Sequence, residues 1–198
     1  VGWRAFVRRG VRIAALGVPA LAAATMAFGA TAQPRGDTLY VPSQYPTIQA
    51  AVDAATPGDT VLVAPGTYLG AVVNKGVTIV GSPDVTNPSV IDNGPRISNS
   101  SLFRSGFIVA VGSDGASVAH FTIQCALSTR MVYGIYAPEG TTPSVPPHFD
   151  HSDLTLTDLV ITGTVRGLEL HSVSRSRISD NRVSMNHPLA IGLGLYDS

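Results

Sequence analysis

The chain has 198 residues, with 13 basic and 13 acidic side chains and no net charge. Only 13% of its residues are charged, 20 are glycine and one is cysteine. These figures exclude a strongly basic nucleic-acid footprint and an internal disulfide framework, so stability has to come from packed core.

Arg4, Arg8, Arg9 and Arg12 open the chain, followed by an apolar, alanine-rich run over 13–30 and the small-x-small triplet Ala30-Thr31-Ala32. This is the pattern of a signal peptide over residues 1–32, cleaved after Ala32, and it implies a secreted or cell-envelope protein. Gly17, Pro19 and Gly29 interrupt the run, which argues against a membrane anchor. No second long apolar run follows, so no transmembrane span is expected in the mature chain. Four of the 13 basic groups and none of the acids lie in residues 1–32, leaving 9 against 13 and a net charge of −4. No nucleic-acid partner is expected.

Apolar Ile48, Ala51, Val52 and Ala55 fall at helical spacing, with Thr47 placed as a cap and Pro57-Gly58-Asp59 as a stop. Val61 and Val63 then alternate as a strand up to Pro65-Gly66, and Val77 and Ile79 do so before Gly81. From Gly106 a unit recurs, opening with glycine and an apolar residue at Gly106, Gly134, Gly167 and Gly192, spaced 28, 33 and 25 residues apart. Each of the first three openings is followed by a second strand-like segment. Aligning those segments gives the columns Val118/Leu156/Ile178, Phe121/Leu159/Asn181 and Ile123/Ile161/Val183. Asn181, in a core column beside a bend, is expected to satisfy backbone groups.

A period of this size built from strands and turns is a solenoid signature. Leucine-rich repeats lack their L-x-x-L-x-L frame here, and a propeller blade needs a longer unit of four antiparallel strands. The reading is an all-β, right-handed parallel β-helix over 33–198, with an N-terminal capping helix and a proline-rich loop over 138–151.

The segment Ile48 to Gly81, with I-Q-A-A-V-D-A-A-x-P-G-D-T-V-x-V-x-P-G-T-Y and then K-G-V-T-I-V-G, resembles the N-terminal coils of the pectin-lyase-like superfamily. That superfamily includes pectin methylesterases and the periplasmic copper-maturation proteins of nitrous-oxide reductase. The later I-S-D-N-R-V-S-M-N is similar to the generic repeat of such β-helices. The resemblance implies a secreted repeat protein with a carbohydrate-interacting face. The same coils carry lyases, hydrolases, esterases and binding proteins. The esterase Gln-Asp pair is not matched, because Gln124 is followed by Cys125-Ala126.

His120, Asp158 and Asp180 share one column on successive units. Two carboxylates one rung apart repel, and such a pair can divide acid and base roles. Arg182, on the same strand side as Asp180, is placed to hold a sugar carboxylate. Asp158, Asp180 and Arg182 are therefore the catalytic candidates. Two other readings of the column stay open: residues that bends prefer, and oxygen ligands for Ca²⁺ from adjacent coils. No cofactor is required by the sequence, and no H-E-x-x-H or C-x-x-C motif provides a metal site.

Tyr133 and Tyr136 flank Gly134-Ile135 on the same side of a strand, with Tyr196 in the matching stretch of a later unit. Exposed, they stack sugar rings and are the substrate-binding candidates; buried, they fill the core. His148 and His151 are expected to be solvated in the proline-rich loop, and Cys125 to be a small buried hydrophobe.

The chain stops at Ser198 inside what reads as the opening strand of another unit, the expectation for a C-terminally truncated solenoid. Three functions remain open: a polysaccharide-degrading lyase or hydrolase, a non-catalytic envelope or surface module that binds glycan or protein, and a fragment without independent activity.

Overall fold

The computed structural model describes residues 36–97, 103–124, 131–138, 151–185 and 190–196. Residues 1–32, read above as a signal peptide, lie outside the described residues, as do Cys125 and His148. Strand β1 (Thr38–Val41) leads into helix α1 (Ile48–Ala54). Thr47 caps the helix, its Oγ1 accepting from the Ala50 amide at 3.1 Å. Ile48, Ala51, Val52 and Ala55 are all buried, which is the face their spacing predicts.

Two side chains from the glycine-containing motifs close the other end of α1. The Asp59 carboxylate accepts from the Asp37 and Thr56 amides, both at 2.7 Å, and from the Thr56 hydroxyl at 2.9 Å. These amide bonds hold its carboxyl below the usual carboxylate range. One residue thereby ties the chain before β1 to the chain after α1. Lys75 Nζ donates to the Asp53 and Ala55 carbonyls at 3.2 and 3.0 Å, satisfying acceptors that a helix end leaves open.

From there the chain supplies three sheets in rotation. It runs through β2 (Thr60–Val63), β3 (Gly66–Leu69) and β4 (Val72–Val73), then β5 (Thr78–Val80), β6 (Ser89–Asn93) and β7 (Arg104–Val109). The next set is β8 (Ser117–Ala119), β9 (Phe121–Gln124) and β10 (Met131–Ala137), followed by the short β11 (His151–Ser152). Then come β12 (Thr155–Thr157), β13 (Val160–Thr162) and β14 (Arg166–His171), with the short β15 (Val173–Ser174). The last are β16 (Arg177–Ser179), β17 (Arg182–Ser184) and β18 (Ile191–Tyr196). The first sheet has the order β1-β2-β5-β8-β12-β16, the second β3-β6-β9-β13-β17 and the third β4-β7-β10-β14-β18, while β11 pairs with β15.

Pairing between these strands is parallel throughout, an all-β arrangement compatible with a strand solenoid. Among the described residues no helix is long and apolar enough to cross a membrane.

Register places like residues over like. In the first sheet Leu39, Val61, Ile79, Val118, Leu156 and Ile178 stand in one column, and all but the partly buried Ile178 are buried. In the second, Ile91, Ile123, Ile161 and Val183 do the same. Both columns inferred from the repeat alignment at Val118/Leu156/Ile178 and Ile123/Ile161/Val183 are therefore present. Asn181 sits one residue before β17, below Leu159. Its Oδ1 accepts from the Leu159 amide at 3.0 Å and its Nδ2 donates to the Leu156 carbonyl at 2.8 Å. A polar residue is accommodated in that column because both ends of its amide are used.

Stacked glycines mark the start of the third sheet: Gly70 just before β4, and Gly106, Gly134, Gly167 and Gly192 within the first residues of β7, β10, β14 and β18. A Cβ on Gly106 would lie 2.5 Å from the Gly134 carbonyl oxygen; one on Gly134 would lie 2.5 Å from that of Gly167 and 2.7 Å from Ile161 Cγ2. The glycine openings at Gly106, Gly134 and Gly167 are thus required by close approach of one backbone to the next.

His151 corrects the sequence expectation. It is fully buried in β11, not solvated. Its Nε2–H donates to the Pro138 carbonyl at 3.0 Å, which leaves Nδ1 to accept from Ser113 Oγ at 3.4 Å. With both ring nitrogens partnered, burial carries no unsatisfied group, and the ring joins the chain positions on either side of the proline-rich segment.

Gly134→Ala is expected to destabilise the protein by about 1–3 kcal/mol, because the new methyl is forced into backbone and an isoleucine. Gly192→Ala, where an added Cβ meets nothing within 4 Å, should change stability by less than about 0.5 kcal/mol. Urea unfolding of both variants measures the contrast.

Candidate functional site

The corner between the first and second sheets carries the predicted acidic column. His120, Asp158 and Asp180 occur there with φ of 60°, 54° and 60°. Three successive strands thus leave the first sheet through a left-handed residue, a conformation in which Asp, Asn and His are enriched. This backbone geometry explains the residue types without any chemistry. Together with Asp84 and Phe121 the three line a shallow surface groove of about 290 Å³. Asp84 is occupied with its own turn, accepting from the Thr86 amide at 2.9 Å and the Thr86 hydroxyl at 2.7 Å. Those bonds, the hydroxyl's foremost, lower its carboxyl from the usual value.

Arg182 lies outside the lining of that groove. It is exposed on β17, registered against Val160. The structure therefore brings Asp158 and Asp180 together and leaves Arg182 on the adjoining second-sheet face. Among the described residues no group of three or more His, Cys, Asp or Glu is arranged to hold a metal ion.

A denser constellation lies on the outer face of the third sheet. Tyr133 and Tyr136 of β10 project on one side, with ring centroids 4.8 Å apart. On β14, Arg166 registers with Tyr133 and Glu169 with Tyr136. On β18, Tyr196 registers with His171. Tyr133 and Tyr136, like Arg166 and Glu169, are three residues apart and would face opposite ways on a regular strand. Gly134 and Gly167 are each buried together with the residue that follows, which breaks that alternation inside β10 and β14, so both members of each pair emerge outward.

Glu169 is 6% exposed and forms the hub. One carboxylate oxygen accepts from Arg166 in an ion pair, and the other accepts from His171 Nε2 at 3.2 Å. The Arg166 guanidinium also donates to the Tyr196 hydroxyl at 3.3 Å and lies 5.8 Å from the centre of the Tyr133 ring. His171 stacks on Tyr196 with centroids 4.6 Å apart and meets the edge of Tyr136 at 6.0 Å. Burying a carboxylate is costly unless it is paired and hydrogen-bonded; here it is both. Burial, reinforced by the Glu169 charge and opposed by that of Arg166, pushes the Tyr133 phenol up, so it remains a hydrogen-bond donor at neutral pH.

No protein family, curated protein or solved structure matches the chain. The site therefore has to be read from its own geometry.

Tyr133, Tyr136 and Tyr196 were legible in the sequence. Arg166, Glu169 and His171 were missed, although the repeat alignment held a signal for one of them. Glu169 stands between two inward leucines in the opening Gly167-Leu168-Glu169-Leu170, at the position of Tyr136 in the preceding unit.

A double-mutant cycle of Arg166→Ala and Glu169→Ala should give a coupling energy of about 1–2 kcal/mol, reduced from that of a fully buried pair because Arg166 is one-third exposed. Additive single effects in denaturant titrations would show that the ion pair does not organise this face.

Proposed function

We propose that this chain is an exported, right-handed parallel β-helix of the pectin-lyase-like kind, and that it binds carbohydrate on the outer face of its third sheet. The observation that carries the binding function is the aromatic surface formed by Tyr133, Tyr136, His171 and Tyr196 across three neighbouring strands. Tyrosine presents a flat apolar face with a polar tip, which suits a sugar's combination of C–H faces and hydroxyls. Arg166, Glu169 and the phenols add donors and acceptors at the edges of the rings. Neighbouring strands lie about 4.8 Å apart, so the rings form a surface extended along the stack, a shape fitted to an oligosaccharide.

The export signal rests on the basic, apolar and small-residue pattern of residues 1–32. The β-helix assignment is supported by parallel pairing, rotation of strands among three sheets and the apolar columns. A second reading, polysaccharide cleavage by Asp158 and Asp180 with Arg182, is favoured by one feature: two carboxylates on adjacent rungs line the same groove.

The test is binding of the purified protein to a glycan array, followed by titration of any ligand found. Tyr136→Ala should weaken binding about five- to tenfold while preserving the fold, whereas Asp158→Asn should leave affinity unchanged. Product release from the bound glycan that disappears in Asp158→Asn would favour the enzymatic reading instead.

A further inference from the structure

We propose that His171 makes recognition of anionic glycans on the third-sheet face depend on pH. This rests on the carbohydrate reading above. The titratable and charged groups around His171, among the described residues, are Glu169 and Arg166 on its own strand, Tyr133 and Tyr136 on β10, and Tyr196 on β18.

With the imidazole neutral, Arg166 and Glu169 cancel and the face carries no net charge. An ionised carboxylate is an acceptor only, so its bond to His171 Nε2 requires the proton on that nitrogen. Nδ1 is then a bare acceptor. A carboxylate brought to that nitrogen meets a lone pair, whereas a sugar hydroxyl can donate to it.

Protonation changes both charge and hydrogen-bonding character. The face gains one positive charge, and Nδ1 turns from acceptor into charged donor. Glu169 retains its Arg166 and His171 partners and stabilises the imidazolium. Tyr196, stacked on the ring at 4.6 Å, keeps its orientation fixed through the change. Histidine is the side chain whose charge changes between about pH 5 and 8, a range in which sugar carboxylates stay ionised. The added charge-assisted bond is available only to a ligand carrying an anion.

The experiment uses a glycan array carrying matched pairs of acidic oligosaccharides and their carboxyl-reduced forms, read at about pH 5 and about pH 8. The proteins compared are the unmodified protein, His171→Gln and Tyr136→Ala. Acidic members should bind on the order of tenfold more tightly at the lower pH, with little change for their reduced partners. His171→Gln should abolish that pH effect, so that whatever affinity it retains for acidic and for reduced members is the same at both pH values. Tyr136→Ala should weaken both classes.

Binding of reduced glycans with pH-independent binding of acidic ones overturns this proposal and leaves the carbohydrate reading standing. The same holds if the pH effect survives in His171→Gln. Absence of binding to every member at both pH values removes the carbohydrate reading and the proposal together.

Discussion

The register of parallel pairing is the constraint on which everything else in this molecule depends. A strand shifted by one residue would turn its inward side chain to solvent and bring an outward one into the core. In the first sheet, Leu39, Val61, Ile79, Val118, Leu156 and Ile178 all have to remain inward at once. The strands are short, some of only two or three residues, so no strand holds its own register. Each is held by the one before it and holds the next. The Asp59 contacts matter because they fix the first pairing, against which the rest are aligned, and Lys75 ties the chain before β5 to the end of α1.

The functional faces follow from this register and from what happens at the corners and at the stacked glycines. Between the first and second sheets, left-handed residues turn the chain, and Asp158 and Asp180 appear together as a consequence. Near the start of the third-sheet strands, glycines let consecutive backbones approach closely and interrupt the strand alternation. That interruption brings Tyr133 beside Tyr136, and Arg166 beside Glu169. Neither pair would share a face on a regular strand. The aromatic and ionic cluster is therefore a product of the same close approach that makes Gly134 and Gly167 intolerant of a side chain.

Much of the scaffold was legible because its signals are local or periodic. Thr47, the helical spacing around Ile48, and the recurring Val118, Leu156 and Ile178 each point to one placement. Asn181 was legible for a different reason: an amide in an apolar column needs backbone partners, and the adjacent bend supplies them. The ion-pair cluster was harder to see. Arg166, Glu169 and His171 acquire meaning only when β14 is set beside β10 and β18, which requires the glycine geometry as well as the repeat. His151 misled for a similar reason. Its proline-rich surroundings indicate a loop, while the groups that bury it, Ser113 and the Pro138 carbonyl, come from elsewhere in the chain.

The most direct test of the register is disulfide trapping on the outer face of the first sheet. Ser117 and Thr155 are registered partners on β8 and β12, and parallel neighbours lie within the Cα separation that a disulfide spans. With Cys125 replaced by serine, Ser117→Cys combined with Thr155→Cys should cross-link completely under mild oxidation, as read by mass spectrometry. Ala119→Cys combined with Thr155→Cys, two residues out of register, should not. Equal cross-linking of the two pairs, or preference for the second, would contradict the stacking on which the proposed binding face depends.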